Sequence, residues 1–148
     1  TRMQDQQPES KWIEANGVRL HYVDWGGSGR QPLLLVHGLQ DCCRLWDFFA
    51  HQVSDRYHVI ALDHRGHGDS GWANAYGLED YVGELEAVIE GLNLRNIVLM
   101  GHSAGAKNSF ILASRQPHRL ARLIIDPDAY NPGSAVMFDH YKTEADEY

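Results

Sequence analysis

The 148-residue chain has only two cysteines, Cys42 and Cys43, and they are adjacent. A bridge between neighbours would strain the peptide that joins them, so no disulfide framework is expected. That usage reads as a reducing, cytoplasmic setting. Basic residues are also scarce, 13 against 20 acidic ones, for a net charge of −7. Nucleic acid and anionic bilayers both reward a basic surface, so neither is expected as a partner. No apolar run approaches the roughly 18 residues of a membrane helix, and the densest, Leu33 to Val36, is strand-sized. Thr1 to Ser10 lack the basic start and apolar stretch of a signal peptide, and residues 1–10 are expected to form a flexible tail. Internal repeats, low-complexity tracts and Gly/Ser/Pro-rich linkers are missing as well, which leaves one domain.

What the chain does have is an alternation of strands and helices. Val18 to Trp25 alternates, with Val18, Leu20 and Tyr22 on one face, and Gly26-Gly27-Ser28-Gly29 then turns the chain. Leu33 to Val36, Tyr57 to Leu62, Ile97 to Met100 and Leu123 to Ile125 are apolar on both faces, as strands covered by helices on each side must be. Between them, Leu45 to Val53 and Ala104 to Gln116 carry helical spacing, the second ending before Pro117. Leu78 to Leu92 is the clearest helix: Leu78, Tyr81, Val82, Leu85, Val88, Ile89 and Leu92 form a stripe, with Glu79 and Asp80 in the positive first turn. Units of this kind imply an α/β fold, a mostly parallel sheet with helices on both faces. Residues 11–130 make up this core. Residues 131–148 turn acidic and aromatic and are expected to begin a helical cap.

The decisive stretch is Ile97-Val98-Leu99-Met100-Gly101-His102-Ser103-Ala104-Gly105, a buried strand running through G-x-S-x-G straight into a helix. This is the context of a nucleophile elbow. The turn is so tight that Ser103 must take a strained backbone conformation, and Gly101 and Gly105 are needed because a β-carbon would meet the crossing chain. The hydroxyl is thereby raised above the sheet at a helix N-terminus, where unpaired N–H groups stabilise developing negative charge.

Two further motifs accompany it: Val36-His37-Gly38-Leu39-Gln40 after one strand, and Asp63-His64-Arg65-Gly66-His67-Gly68-Asp69-Ser70 after another. In this order and spacing the three resemble the α/β-hydrolase fold superfamily, its serine-nucleophile, cap-bearing, esterase-like branch, over about Trp12 to Tyr130. The resemblance implies Ser103 as nucleophile and the N–H groups of Leu39 and Ala104 as the oxyanion hole. A serine rather than an aspartate at 103 argues against the haloalkane dehalogenase and epoxide hydrolase branches, which use a carboxylate there.

A serine hydroxyl needs a histidine to take its proton and a carboxylate to orient that histidine, and in this family the order is Ser, acid, His. Only 45 residues follow Ser103, whereas two more strand–helix units need roughly 60. The catalytic histidine is therefore expected outside this chain, on a C-terminal remainder or a second polypeptide, and the chain alone is expected to be inactive. Downstream stand only His118, at the opposite end of the sheet, and His140, in the expected cap. Asp126, at a strand's C-terminal end, is a candidate acid, with Asp128 behind it. His102 is expected to pack beside the elbow. His64 and His67 lack the accompanying ligands of a zinc site, so no metal is expected. Trp25, Trp46, Trp72 and the Phe48-Phe49 pair read as core or lid packing, and no nucleotide fingerprint occurs, so no cofactor is implied.

The expected function is hydrolysis of a small-molecule carboxylic ester or related acyl compound. The rivals are a ligand-binding or receptor-like homologue without turnover, and a lyase or cofactor-free oxygenase on the same fold.

Overall fold

The computed structural model describes residues 6–126 and the strand 136–138. Near its start, Asn16 and Gly17 both have positive φ, 51° and 79°, which two-residue hairpin loops require to match strand twist. They join β1 (Glu9–Ala15) to β2 (Val18–Asp24). Glu9 and Ser10, within the stretch expected to be a tail, are thus paired with Asp24 and Val23 in the sheet. The other strands are β3 (Pro32–Val36), β4 (His58–Leu62), β5 (Ile97–His102), β6 (Leu120–Asp126) and β7 (Val136–Phe138).

The sheet runs β1-β2-β4-β3-β5-β6-β7. Its four central strands, β4, β3, β5 and β6, are parallel, and antiparallel strands flank them on both sides. Strand β7 falls inside the segment expected to be helical. Val136, Met137 and Phe138 pair with Ile125, Ile124 and Leu123 instead, because a Val-Met-Phe run has the side chains a sheet edge favours. The remainder of the expected cap lies outside the described residues.

Strand alternation divides the core into two layers. Leu34, Val36, Ile60, Leu62 and Leu99 face α2 (Leu78–Gly91) and α3 (Ala104–Arg115), meeting Val82, Leu85, Val88, Ile89 and Leu112. Leu33, Leu35, Val59, Ala61, Val98 and Met100 face the other way, toward Trp25, Trp46 and Ala50, the last on α1 (Asp47–Val53). Trp25 and Trp46 are core residues as expected, whereas Phe48 and Trp72 are 80% and 87% exposed. Each fully buried aliphatic side chain contributes about 1.5–3 kcal/mol. Doubly covered strands leave the loops at their C-terminal ends as the place where chemistry can be displayed.

Candidate active site

β5 enters α3 through Ser103, whose backbone stands at φ 54°, ψ −118°, a region L-residues rarely occupy. The two flanking glycines show why the turn is possible. A β-carbon on Gly101 would lie 2.4 Å from the Gly105 carbonyl oxygen. One on Gly105 would lie 2.4 Å from the carbonyl oxygens of both Val36 and His37. The Ser103 N–H donates to the Asp126 carbonyl (3.3 Å), tying the elbow to the end of β6, and the Ser103 carbonyl accepts the Lys107 N–H at 3.2 Å. The serine is exposed, and among the described residues its hydroxyl has no hydrogen-bond partner.

The loop after β3 lies directly against the elbow. A β-carbon on Gly38 would be 3.1 Å from Ser103 Cβ and 3.2 Å from the His102 carbonyl oxygen, so only glycine fits there without displacing a neighbour. Leu39 follows, 64% exposed. Ala104 occupies the first turn of α3, where an N–H has no acceptor within its own helix. The structure therefore gathers Ser103, Leu39 and Ala104 at one edge of the sheet.

His102 donates from Nδ1 to the Asp126 carbonyl at 3.0 Å, binding β5 to β6 beside the elbow. Asp126 is 2% exposed and pairs with His102 in register. His118 lies exposed in the turn before β6, at the opposite end of that strand. His140 and Asp128 lie outside the described residues. His64 donates from Nδ1 to Glu84 at 2.9 Å, and His67 donates from Nδ1 to the Arg65 carbonyl at 2.9 Å.

Beneath the site is a buried polar network that the sequence reading did not assign. Glu84, fully buried on α2, accepts from His64 Nδ1, from the Arg65 N–H (3.1 Å) and from Arg65 Nε (2.9 Å). The signal for it was present in the chain: Glu84 lies one turn from Tyr81 and Val88 on an otherwise apolar stripe, where a carboxylate must find partners from another element. Asp63 accepts from the Cys43 N–H (2.7 Å), His21 Nδ1 (2.7 Å) and the Asp69 N–H (3.0 Å). Burial alone would push the Asp63 carboxyl upward, but these donors outweigh it and hold the carboxyl below the usual range.

His21, Cys43 and Asp63 also form the one cluster of metal-type ligands among the described residues, with donor atoms within 4.8 Å of one another. His21 already uses both ring nitrogens, the second on Ser10 Oγ at 2.9 Å, and both Asp63 oxygens accept N–H groups. Burial, reinforced by the Asp63 charge, pushes the Cys43 thiol far above its ordinary value, away from the thiolate a metal takes. The His21 ring nitrogens and the Asp63 oxygens are thus already taken up by hydrogen bonds. Cys42 and Cys43 are both free thiols. No helix among the described residues is long and apolar enough to cross a membrane.

Known proteins are similar to this chain in sequence and in fold. The chain is 34% identical over 124 residues to N-formylmaleamate deformylase of Pseudomonas putida, covering 82% of this chain and 46% of that protein. It is 29% identical over 119 residues to epoxide hydrolase 1 of Caenorhabditis elegans, covering 78% of this chain and 30% of that protein. The solved structure of the haloalkane dehalogenase DatA from Agrobacterium tumefaciens superposes with a TM-score of 0.75 at 27% identity, covering 83% of this chain and 42% of that one. The chain thus spans less than half the length of each. The family model for the alpha/beta hydrolase fold matches residues 31–139, a span that takes in β3, the Asp63 loop and the Ser103 elbow, and the chain belongs to that family.

Proposed function

We propose that Ser103 is the nucleophile of a carboxylic-ester or related acyl hydrolase. Its hydroxyl gives its proton to a general base and attacks the substrate carbonyl, and the N–H groups of Leu39 and Ala104 hold the oxygen that becomes negative. The alcohol leaves with that proton as the C–O bond breaks. Water then cleaves the acyl ester to release the acid and restore the Ser103 hydroxyl. The observation that carries this reading is the strained Ser103 backbone at the head of α3, packed against Gly38 so that the loop bearing Leu39 is its neighbour. Strain of this kind costs about 1–3 kcal/mol and persists only where surrounding packing enforces it.

The chemistry also separates this reading from the epoxide hydrolase and haloalkane dehalogenase named among the similar proteins. A serine oxygen that opened an epoxide or displaced a halide would form an ether, which water does not cleave under mild conditions. A carboxylate nucleophile would form an ester, which water does cleave. A serine at 103 turns over only if its covalent intermediate is an acyl ester. The general base in this reading comes from outside the described residues, since among them the Ser103 hydroxyl has no partner.

The test is reaction of the full-length protein with a fluorophosphonate and with p-nitrophenyl esters. The expected result is an adduct on Ser103 and ester turnover, both lost in Ser103→Ala, with residues 1–148 alone showing neither. Ester turnover that survives Ser103→Ala, or a full-length protein that turns over ligand without ever labelling at Ser103, overturns the proposal.

A further inference from the structure

The His37 ring is buried between two backbone groups that leave it a single tautomer. Its Nδ1 lies 2.6 Å from the Gly38 carbonyl oxygen, so Nδ1 must carry the proton and donate. Its Nε2 lies 3.0 Å from the His64 backbone N–H, so Nε2 must be bare and accept. The His64 end of this clamp is itself fixed. Glu84 takes the Arg65 N–H and the His64 Nδ1 proton, holding the backbone on either side of the 64–65 peptide against α2. The His37 ring also packs edge-on to His64 and tilted to His67, each at 5.1 Å between centroids.

The Gly38 carbonyl is half of a planar trans peptide whose other half is the Leu39 N–H, and in such a peptide the two point in opposite directions. Pulling the carbonyl toward His37 turns the N–H away from it. The geometry points to His37 as the positioning residue of the oxyanion donor: held by His64, it grips the Gly38 carbonyl and so sets the direction of the Leu39 N–H beside Ser103. Burial, and next the charge of His64, lower the His37 pKa to about 4, so the ring keeps this neutral form at neutral pH. The inference rests on the Leu39 role proposed above.

Two amide side chains separate the grip from mere packing. Asparagine places an NH₂ near the position of imidazole Nδ1 and can still reach the Gly38 carbonyl. Glutamine extends its amide to the Nε2 position, where it can accept from the His64 N–H but leaves Gly38 unheld. In the full-length protein, His37→Gln is expected to lower kcat for p-nitrophenyl esters by about 10²-fold, with KM changed less than about threefold, because the oxyanion contact strengthens in the transition state. His37→Asn is expected to keep at least about tenfold more of kcat than His37→Gln. Equal losses in the two variants, a larger loss in Asn, or a loss carried by KM overturns the inference. A wild-type protein that never labels at Ser103 defeats the proposed function instead. The grip then stands or falls on amide relaxation at Leu39 by NMR, with the N–H rigid in wild type and His37→Asn and mobile in His37→Gln. Equal rigidity in all three overturns it.

Discussion

Two loops at the same edge of the sheet are built on opposite economies. The loop after β4 hides Asp63, His64 and Arg65, all below 5% exposed, and satisfies both Asp63 oxygens and both Glu84 oxygens with donors. The elbow after β5 leaves Ser103 exposed, its hydroxyl unpartnered among the described residues and its backbone at φ 54°. Stability is concentrated in the first loop and given up in the second. The contrast shows how a fold can hold one reactive oxygen in an unfavourable conformation: a neighbouring loop that cannot shift is what it leans on.

The comparison breaks most severely at Gly105. A methyl group there meets the carbonyl oxygens of Val36 and His37 at 2.4 Å, and neither is the movable end of a side chain. Gly105→Ala is expected to cost more than about 4 kcal/mol, or to leave no folded protein, in urea unfolding. Next comes Glu84→Ala, which strands the Arg65 guanidinium and the His64 Nδ1–H in the core. Its expected cost is about 3–5 kcal/mol, and a loss below 1 kcal/mol would show that the buried network is not the stable partner of the pair.

Acid should expose a third difference. Because His37 titrates near 4 when folded, against an ordinary value near 6.5, only the unfolded chain takes up this proton between those limits. Stability is therefore expected to fall by up to about 3 kcal/mol as pH drops from 6.5 to 4, with no further loss from this group below 4. The groups that face the ring are His64, His67 and Asp63, and the Asp63 carboxylate adds its own loss lower still, as it takes up a proton below the usual carboxylate range. Urea midpoints across this window should flatten in His37→Asn, and an unchanged slope would assign the acid sensitivity elsewhere. The smallest effect runs the other way. Ser103→Gly should stabilise the chain by about 1 kcal/mol, because glycine occupies positive φ without strain. A destabilised Ser103→Gly would mean that the elbow carries little strain.

Much of this was written in the chain. Apolar runs marked the four parallel strands, the stripe from Leu78 marked α2, and three motifs located the edge where Ser103, Leu39 and Ala104 gather. β1 was overlooked because Glu9 to Ala15 alternates weakly, with Trp12 itself 45% exposed. The Asn16-Gly17 pair was the available signal, since that dipeptide between strands specifies a hairpin. Val136 to Phe138 was hidden by its acidic and aromatic surroundings, and a three-residue edge strand has no period to read. The roles of His37, Asp63 and Glu84 depend on partners 19 to 42 residues away, and local pattern carries no information about such pairings.

The bare α-carbon of residue 38 has a mechanical consequence. With Ser103 Cβ and the His102 carbonyl oxygen crowded against it, the chain leaving β3 and the chain leaving β5 touch without an intervening side chain to act as a cushion. A displacement of either segment is therefore expected to be passed to the other, coupling the Ser103 turn to the loop that bears Leu39. A methyl group in place of that hydrogen would push the two segments apart by a few tenths of an ångström.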